Sequence, residues 1–269
     1  MDWEEIGAGS WQRAEEAGLF PNRQPVIVGC DEAIGGHKMT YLLGSGYYPA
    51  TRYDASLFAR VWIENVMRNA RPRPFRILVM SQRNAVFPPI PAELSHLLQV
   101  VNLPGACGHV GDLFNGSKKH EFCGWSASSL AMAMTAYAAE LDFVYQEGDC
   151  LAFGPYVERM YAEIGGGGMI FGNYAGMPCA QSLFLVKHAF IPQFVREYLA
   201  LGGDGIEYNL PEAKFAKLEY VKPAAYRRFS FGYDRARPPD GLAKCNDEVW
   251  YVQQLTKDEL TELMKAGRI

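Results

Sequence analysis

The feature that most constrains this chain is an alternation. Short apolar runs that end in glycine or acid turns are separated by segments whose apolar residues recur with a helical period. "MTYLLGSGYYP" reads as a strand closed by a glycine turn. After it, Leu57, Phe58, Val61, Trp62, Asn65 and Val66 lie on one helical face. "PFRILVMS" and "LLQVVNLP" supply a second and a third buried strand. Leu130, Met134, Tyr137 and Leu141 mark the core face of another helix, which runs into the strand Phe143-Val144-Tyr145. Pro155 suits the first turn of a further helix with Val157, Met160, Tyr161 and Ile164 inward. Phe190, Ile191, Phe194, Val195, Tyr198 and Leu199 mark one more. Near the end, Thr256 and Glu259 form a capping box ahead of Leu260, Leu263 and Met264, and Gly267 is placed to stop that helix. Strands alternating with helices define an α/β fold, a mostly parallel central sheet flanked by helices on both faces.

The 269 residues suffice for one large domain of this kind or two small ones. There is no internal repeat and no low-complexity linker, and the tetraglycine Gly165 to Gly168 is too short to separate domains. Residues 1–36, with a strand-like Pro25-Val26-Ile27-Val28, are expected as an N-terminal extension packed on a single domain over 37–269. A formal charge of −4 gives no electrostatic reason to expect nucleic acid as a partner. The start, Met-Asp-Trp-Glu-Glu, lacks the basic and apolar regions of a signal peptide. The most apolar helical window, Ala127 to Ala139, is too short and too polar to span a bilayer, so no integral membrane segment is expected. A cytoplasmic protein follows, with any membrane contact peripheral. The six cysteines form no C-x-x-C pair and the five histidines no H-x-x-x-H pair. This discounts a structural zinc site, favours free thiols and leaves oxygen as the ligand for any metal. No pattern sets the oligomeric state.

Chemistry concentrates in "VYQEGDC", where an apolar strand meets Glu147 and Asp149 across a single glycine. Two readings stand. Glu-Gly-Asp is a surface turn, since Gly and Asp favour turns, or it holds a divalent cation such as Mg²⁺ or Mn²⁺, which prefers carboxylate oxygen. In a parallel sheet, ligands bind beyond the carboxyl ends of the strands. Glu147 and Asp149 follow one strand and Gly44-Ser45-Gly46 another, so both turns are expected on the same edge. The Gly44-Ser45-Gly46-Tyr47 stretch is either a plain strand-to-helix turn or a place where backbone approaches a nucleotide, with Tyr47 or Tyr48 stacking on its base. It lacks the third glycine of a dinucleotide fingerprint. The glycine run at 165–168 lacks the Lys-Ser/Thr of a phosphate loop and reads as a turn before a strand. Arg228, Arg235 and Arg237 near Asp234 read as an ion-pair cluster or as phosphate ligands. Glu212, after Pro211, reads as a helix-start acid or as a general base, with Asp204 and Glu207 nearby.

In their order, strand "TYLLGSGYY", helix "ASLFARVWIENVMRNA", strand "RILVMS", helix "SSLAMAMTAYAAE" and then "DFVYQEGD" resemble the glycosyltransferases of the GT-A fold. The resemblance covers most of the chain after about residue 37. It places Glu147-Gly148-Asp149 at the D-x-D motif of that family, with Glu in place of the first Asp. It implies that Asp149 coordinates Mn²⁺ or Mg²⁺ on the diphosphate of a nucleotide-sugar donor and that Glu147 is its partner, toward metal or ribose. It also implies that Gly44 to Tyr47 borders the nucleoside and that the stretch after the acids shapes the acceptor side. Glu212 would act as base in an inverting reaction. The implied function is metal-dependent transfer of a sugar from a nucleotide-diphosphate donor to a hydroxyl of a glycan or other acceptor. A non-catalytic nucleotide- or glycan-binding protein of the same fold is the first alternative. A sugar-phosphate nucleotidyltransferase is the second, and the absence of its G-x-G-T-R run stands against it.

Overall fold

The computed structural model describes residues 33–34, 37–47, 55–82, 86–103, 122–174, 177–203, 214–215, 226–229, 232–233, 242 and 251–268. The chain divides into two compact units, Met1–Asp31 and Glu32–Ile269, and every described residue belongs to the second. The N-terminal extension expected over 1–36 lies outside the described residues except for 33–34, a short strand β1 (Ala33–Ile34) paired antiparallel with β2 (His37–Lys38).

The main sheet is built from β3 (Tyr41–Tyr47), β4 (Arg76–Ser81), β5 (Leu98–Asn102), β6 (Asp142–Gln146), β8 (Met169–Tyr174), β9 (Met177–Val186) and β10 (Tyr226–Phe229). Their order is β10-β8-β9-β6-β3-β4-β5. β5, β4, β3 and β6 are mutually parallel, and so are β8 and β10; β9 alone runs against both of its neighbours. A smaller sheet, β11-β12-β7, joins β7 (Cys150–Ala152), β12 (Tyr251–Gln253) and β11 (Gly232–Tyr233).

The central strands are apolar on both faces because helices cover both. Alternate residues divide between two cores, as the period of a strand requires. Tyr41, Leu43, Ile77, Val79, Val144 and Leu185 enter one core with α1 (Ala55–Asn69), α3 (Tyr156–Ile164) and α5 (Lys257–Lys265), through Trp62, Val66, Met160 and Leu263. Leu42, Leu78, Phe143, Tyr145 and Phe184 enter the other with α2 (Gly124–Ala138) and α4 (Ile191–Ala200). The expected faces of α1 and α3 are the observed ones: Phe58, Val61, Trp62, Val66, Val157, Met160 and Ile164 are buried. The capping box is formed, with Thr256 accepting from the Glu259 N–H and Glu259 from the Thr256 N–H. Gly267 follows in the left-handed region at φ +65°.

α2 is rotated relative to its expected face. Leu130 and Met134 are half-buried and Tyr137 is exposed, while Ser128, Met132, Ala133 and Ala136 are buried. The cause is crowding. The layer between this helix and the sheet is already filled by the rings of Phe143, Tyr145, Phe184 and Trp125. A Cβ on Gly44 would come within 2.8 Å of Phe143 Cε2 and 2.9 Å of Met132 Sδ. The face of α2 that is buried presents Met132 with small neighbours, Ser128, Ser129, Ala133 and Ala136. No helix among the described residues is long and apolar enough to cross a membrane.

Candidate functional site

β6 and β3 are parallel neighbours, with Gly44 opposite Tyr145, so the acid turn and the end of β3 lie on one edge; Gly44, Ser45 and Gly46, expected as a turn after the strand, lie instead inside β3, paired with Leu78, Val79 and Met80 of β4. At that edge the chain crosses from the main sheet, at Gln146, to the small sheet, at Cys150. Glu147-Gly148-Asp149 is the crossing. The Glu147 N–H donates to Ser182 O at 2.8 Å, which carries the β6–β9 pairing one residue further, and the Cys150 N–H closes the turn on Glu147 O at 2.9 Å. The Asp149 carbonyl accepts from the Gln254 N–H at 3.2 Å, and Gln254 holds a left-handed φ of +54°.

The acid turn touches the end of β3. A Cβ on Gly148 would lie 2.6 Å from Gly46 O and 3.6 Å from Ser45 Oγ, so only glycine fits between the carboxylates. Beneath the turn is a buried polar frame. Asn65 on α1 pairs with both backbone groups of Ala152, donating to O at 2.9 Å and accepting from N at 3.0 Å. Gln146 donates to Cys150 O at 2.9 Å and to Asn65 Oδ1 at 3.3 Å, and accepts from the Tyr156 hydroxyl at 2.5 Å. These bonds satisfy polar groups that would otherwise be costly to bury, and they fix both sides of the turn. Asn65, on the apolar face of its helix in the sequence, is there for this reason.

Both carboxylates reach one N–H group. Gln253 Nε2 donates to Glu147 Oε2 at 2.7 Å and makes a longer contact of 3.4 Å with Asp149 Oδ1. Gln253 lies opposite Cys150 in the β12–β7 pair, and its Oε1 accepts from the Ser182 hydroxyl. The charge of the pair is felt below it: burial first, then Asp149 and Glu147, push the Cys150 thiol well above its ordinary pKa. Cys150 and Cys123 are buried free thiols. A hard divalent cation fits this donor set, because two carboxylate oxygens already converge on a single point at the ligand edge of the sheet. Among the described residues no group of three or more His, Cys, Asp or Glu side chains comes together.

The other expected site residues divide. Ser45 is buried, with its hydroxyl 3.5 Å from Gly46 O, and Gly46 O borders the acid turn. Gly44 is a packing glycine: its missing side chain makes room for Phe143 and Met132 rather than for a ligand. The Tyr47 ring meets Phe87 edge-on at 4.9 Å and its hydroxyl donates to Val86 O at 3.4 Å. Tyr48, Asp204, Glu207, Glu212, Asp234, Arg235 and Arg237 lie outside the described residues, as does the side chain of Arg228 on β10. Sequence reasoning missed Gln253, Ser182 and Gln146. Their one signal is an uncharged polar residue inside an otherwise apolar strand, as in "WYVQQL" and "FVYQ".

The acid turn lies at the carboxyl edge of the parallel strands, where ligands bind in α/β folds. Over most of its length the chain is structurally similar to three glycosyltransferases. One is a glycosyltransferase involved in the glycosylation of the major capsid of PBCV-1, at 8% identity, covering 85% of this chain and 99% of that one, with a TM-score of 0.49. Another is mouse xyloside xylosyltransferase 1 in its apo form, at 10% identity, 80% and 97% coverage, and a TM-score of 0.43. The third is the galactosyltransferase LgtC in complex with donor and acceptor sugar analogues, at 9% identity, 85% and 95% coverage, and a TM-score of 0.47. No family model and no curated protein matches the sequence.

Proposed function

We propose that the chain is a metal-dependent glycosyltransferase that moves a sugar from a nucleotide-diphosphate donor to an acceptor hydroxyl. The observation that carries this reading is the convergence of Glu147 and Asp149 on one point at the carboxyl edge, on a turn that Asn65, Gln146 and Gly148 hold rigid. Bound there, Mn²⁺ or Mg²⁺ would neutralise the charge that develops on a departing diphosphate. The chain's own contribution is to hold two carboxylates ready, so that little reorganisation is needed when the donor binds. The neighbouring Gly46 carbonyl and Ser45 hydroxyl supply polar groups for the nucleoside side of the donor. Glu212 is proposed as the base should the reaction invert the anomeric centre.

The test is thermal unfolding of the full chain against a panel of nucleoside diphosphates and nucleotide sugars, each with and without Mn²⁺. A ligand at 100 times its Kd adds about 2.7 kcal/mol of stability. The expected result is a metal-dependent rise in Tm with one nucleotide, lost in Asp149→Asn, together with turnover of the matching nucleotide sugar. Binding with no turnover of any donor would replace this reading with the non-catalytic one, and no shift at all would return 147–149 to being a turn.

A further inference from the structure

Gln253 is placed to do more than neutralise two acids. Its side chain is buried, at 5% exposure, and its two ends face different partners: Nε2 the carboxylates, Oε1 the Ser182 hydroxyl. A carboxamide donates at one end and accepts at the other, whereas a hydroxyl both donates and accepts. Ser182 therefore serves either orientation. With Nε2 toward the carboxylates, the hydroxyl donates to Oε1; with the amide turned about its last bond, the hydroxyl accepts from Nε2. The terminal torsion of Gln is broad and roughly two-fold, so both orientations lie within its ordinary range. What distinguishes them is what occupies the point between Glu147 and Asp149. An N–H suits two carboxylates in the absence of a cation, and a carbonyl oxygen suits a cation in their presence.

We propose that Gln253 is a reversible stand-in for the metal: its N–H holds the carboxylate pair together in the metal-free protein, and on metal binding the amide turns to offer Oε1 as a third, neutral oxygen ligand. This rests on the reading of Glu147 and Asp149 as the cation site. The chain would thus tolerate two close carboxylates before the cation arrives. It would also bind the ion with two negative charges rather than three, which weakens and speeds metal exchange relative to an all-carboxylate set.

The experiment titrates Mn²⁺ alone into the full chain, with free Mn²⁺ read by its electron paramagnetic resonance signal, for the wild type, Asp149→Asn, Gln253→Glu and Gln253→Met. Gln253→Glu keeps the shape and replaces the amide nitrogen with a second oxygen while adding charge, and should bind Mn²⁺ about tenfold more tightly. Gln253→Met keeps the volume but offers no oxygen, and should bind about tenfold more weakly. The side-chain amide resonances of Gln253, followed by NMR with diamagnetic Mg²⁺, should shift on saturation as the N–H leaves the carboxylates. A purely structural glutamine would not show that change. Gln253→Glu and wild type binding within twofold, with Asp149→Asn abolishing binding, would overturn the role of Gln253 and leave the carboxylate site standing. Should Gln253→Met not fold, Gln253→Glu alone decides. No Mn²⁺ bound by the wild type would overturn both readings at once.

Discussion

β6 carries acids at both ends, and they are treated in opposite ways. At its amino end, Asp142 has a separate donor for each oxygen: the His188 N–H at 2.6 Å on Oδ1 and the Tyr161 hydroxyl at 2.5 Å on Oδ2. His188 itself stacks on Tyr137 at 4.9 Å. At the carboxyl end, Glu147 and Asp149 turn toward the same amide nitrogen, Nε2 of Gln253. One carboxylate with two donors is a fastener. Two carboxylates drawn to one amide group concentrate negative charge at one point, which favours a positive or N–H-bearing neighbour there. The same kind of side chain fastens the strand at one end and gathers charge at the other. Paired substitutions separate the roles. Asp149→Asn should lower metal-dependent turnover by about a hundredfold or more while shifting the unfolding midpoint little. Asp142→Asn replaces one acceptor with a donor facing another donor, and should cost about 2 kcal/mol of stability while leaving Mn²⁺ affinity unchanged. Equal loss of stability in both variants, measured by urea unfolding, would erase the contrast.

A smaller effect tests the contact between the acid turn and the end of β3. Gly148→Ala would set a methyl 2.6 Å from Gly46 O, which is backbone and cannot swing away as a side-chain tip can. Relief requires the turn or the strand end to shift, at about 1–3 kcal/mol, and the shift separates the carboxylates. Stability and Mn²⁺ affinity should therefore fall together. A variant that loses stability but binds Mn²⁺ like the wild type would place the strain elsewhere, and would show that Gly148 serves packing alone.

The fold was largely legible in the sequence because strands buried on both faces are written as uninterrupted apolar runs, such as "RILVMS" and "DFVYQ", separated by helical periods. The acid turn was legible for the same reason: charges directly after such a run must lie at a strand end. α2 was not, because its inward face mixes Trp125 and Met132 with Ser128, Ser129, Ala133 and Ala136, while Leu130 and Met134 are only half-buried, so the period of its large residues does not mark the buried side. Gln253 was not legible as a partner of Glu147 either. The two are 106 residues apart in sequence, and they meet only because β7 and β12 pair in a second sheet that no local pattern announces.

The fastener at the amino end of β6 has a pH signature of its own. Burial first, and then the negative charge of Asp142, push the Tyr161 phenol far above its ordinary pKa of about 10. In the folded chain Tyr161 therefore keeps its proton where the unfolded chain loses it. Unfolding releases a proton above that value, so the contribution is fully present below about pH 10 and is lost as pH rises further, with a slope of about 1.4 kcal/mol per pH unit for one proton. Tyr161→Phe removes both the hydrogen bond and this proton. At pH 7 it should cost about 1 kcal/mol, and above pH 10 its stability should fall less steeply than that of the wild type, by one proton's slope. Urea unfolding at intervals from pH 7 to 11 reads both quantities. Parallel alkaline limbs would mean that Asp142 and Tyr161 are not coupled, and the fastener would then rest on the His188 N–H alone.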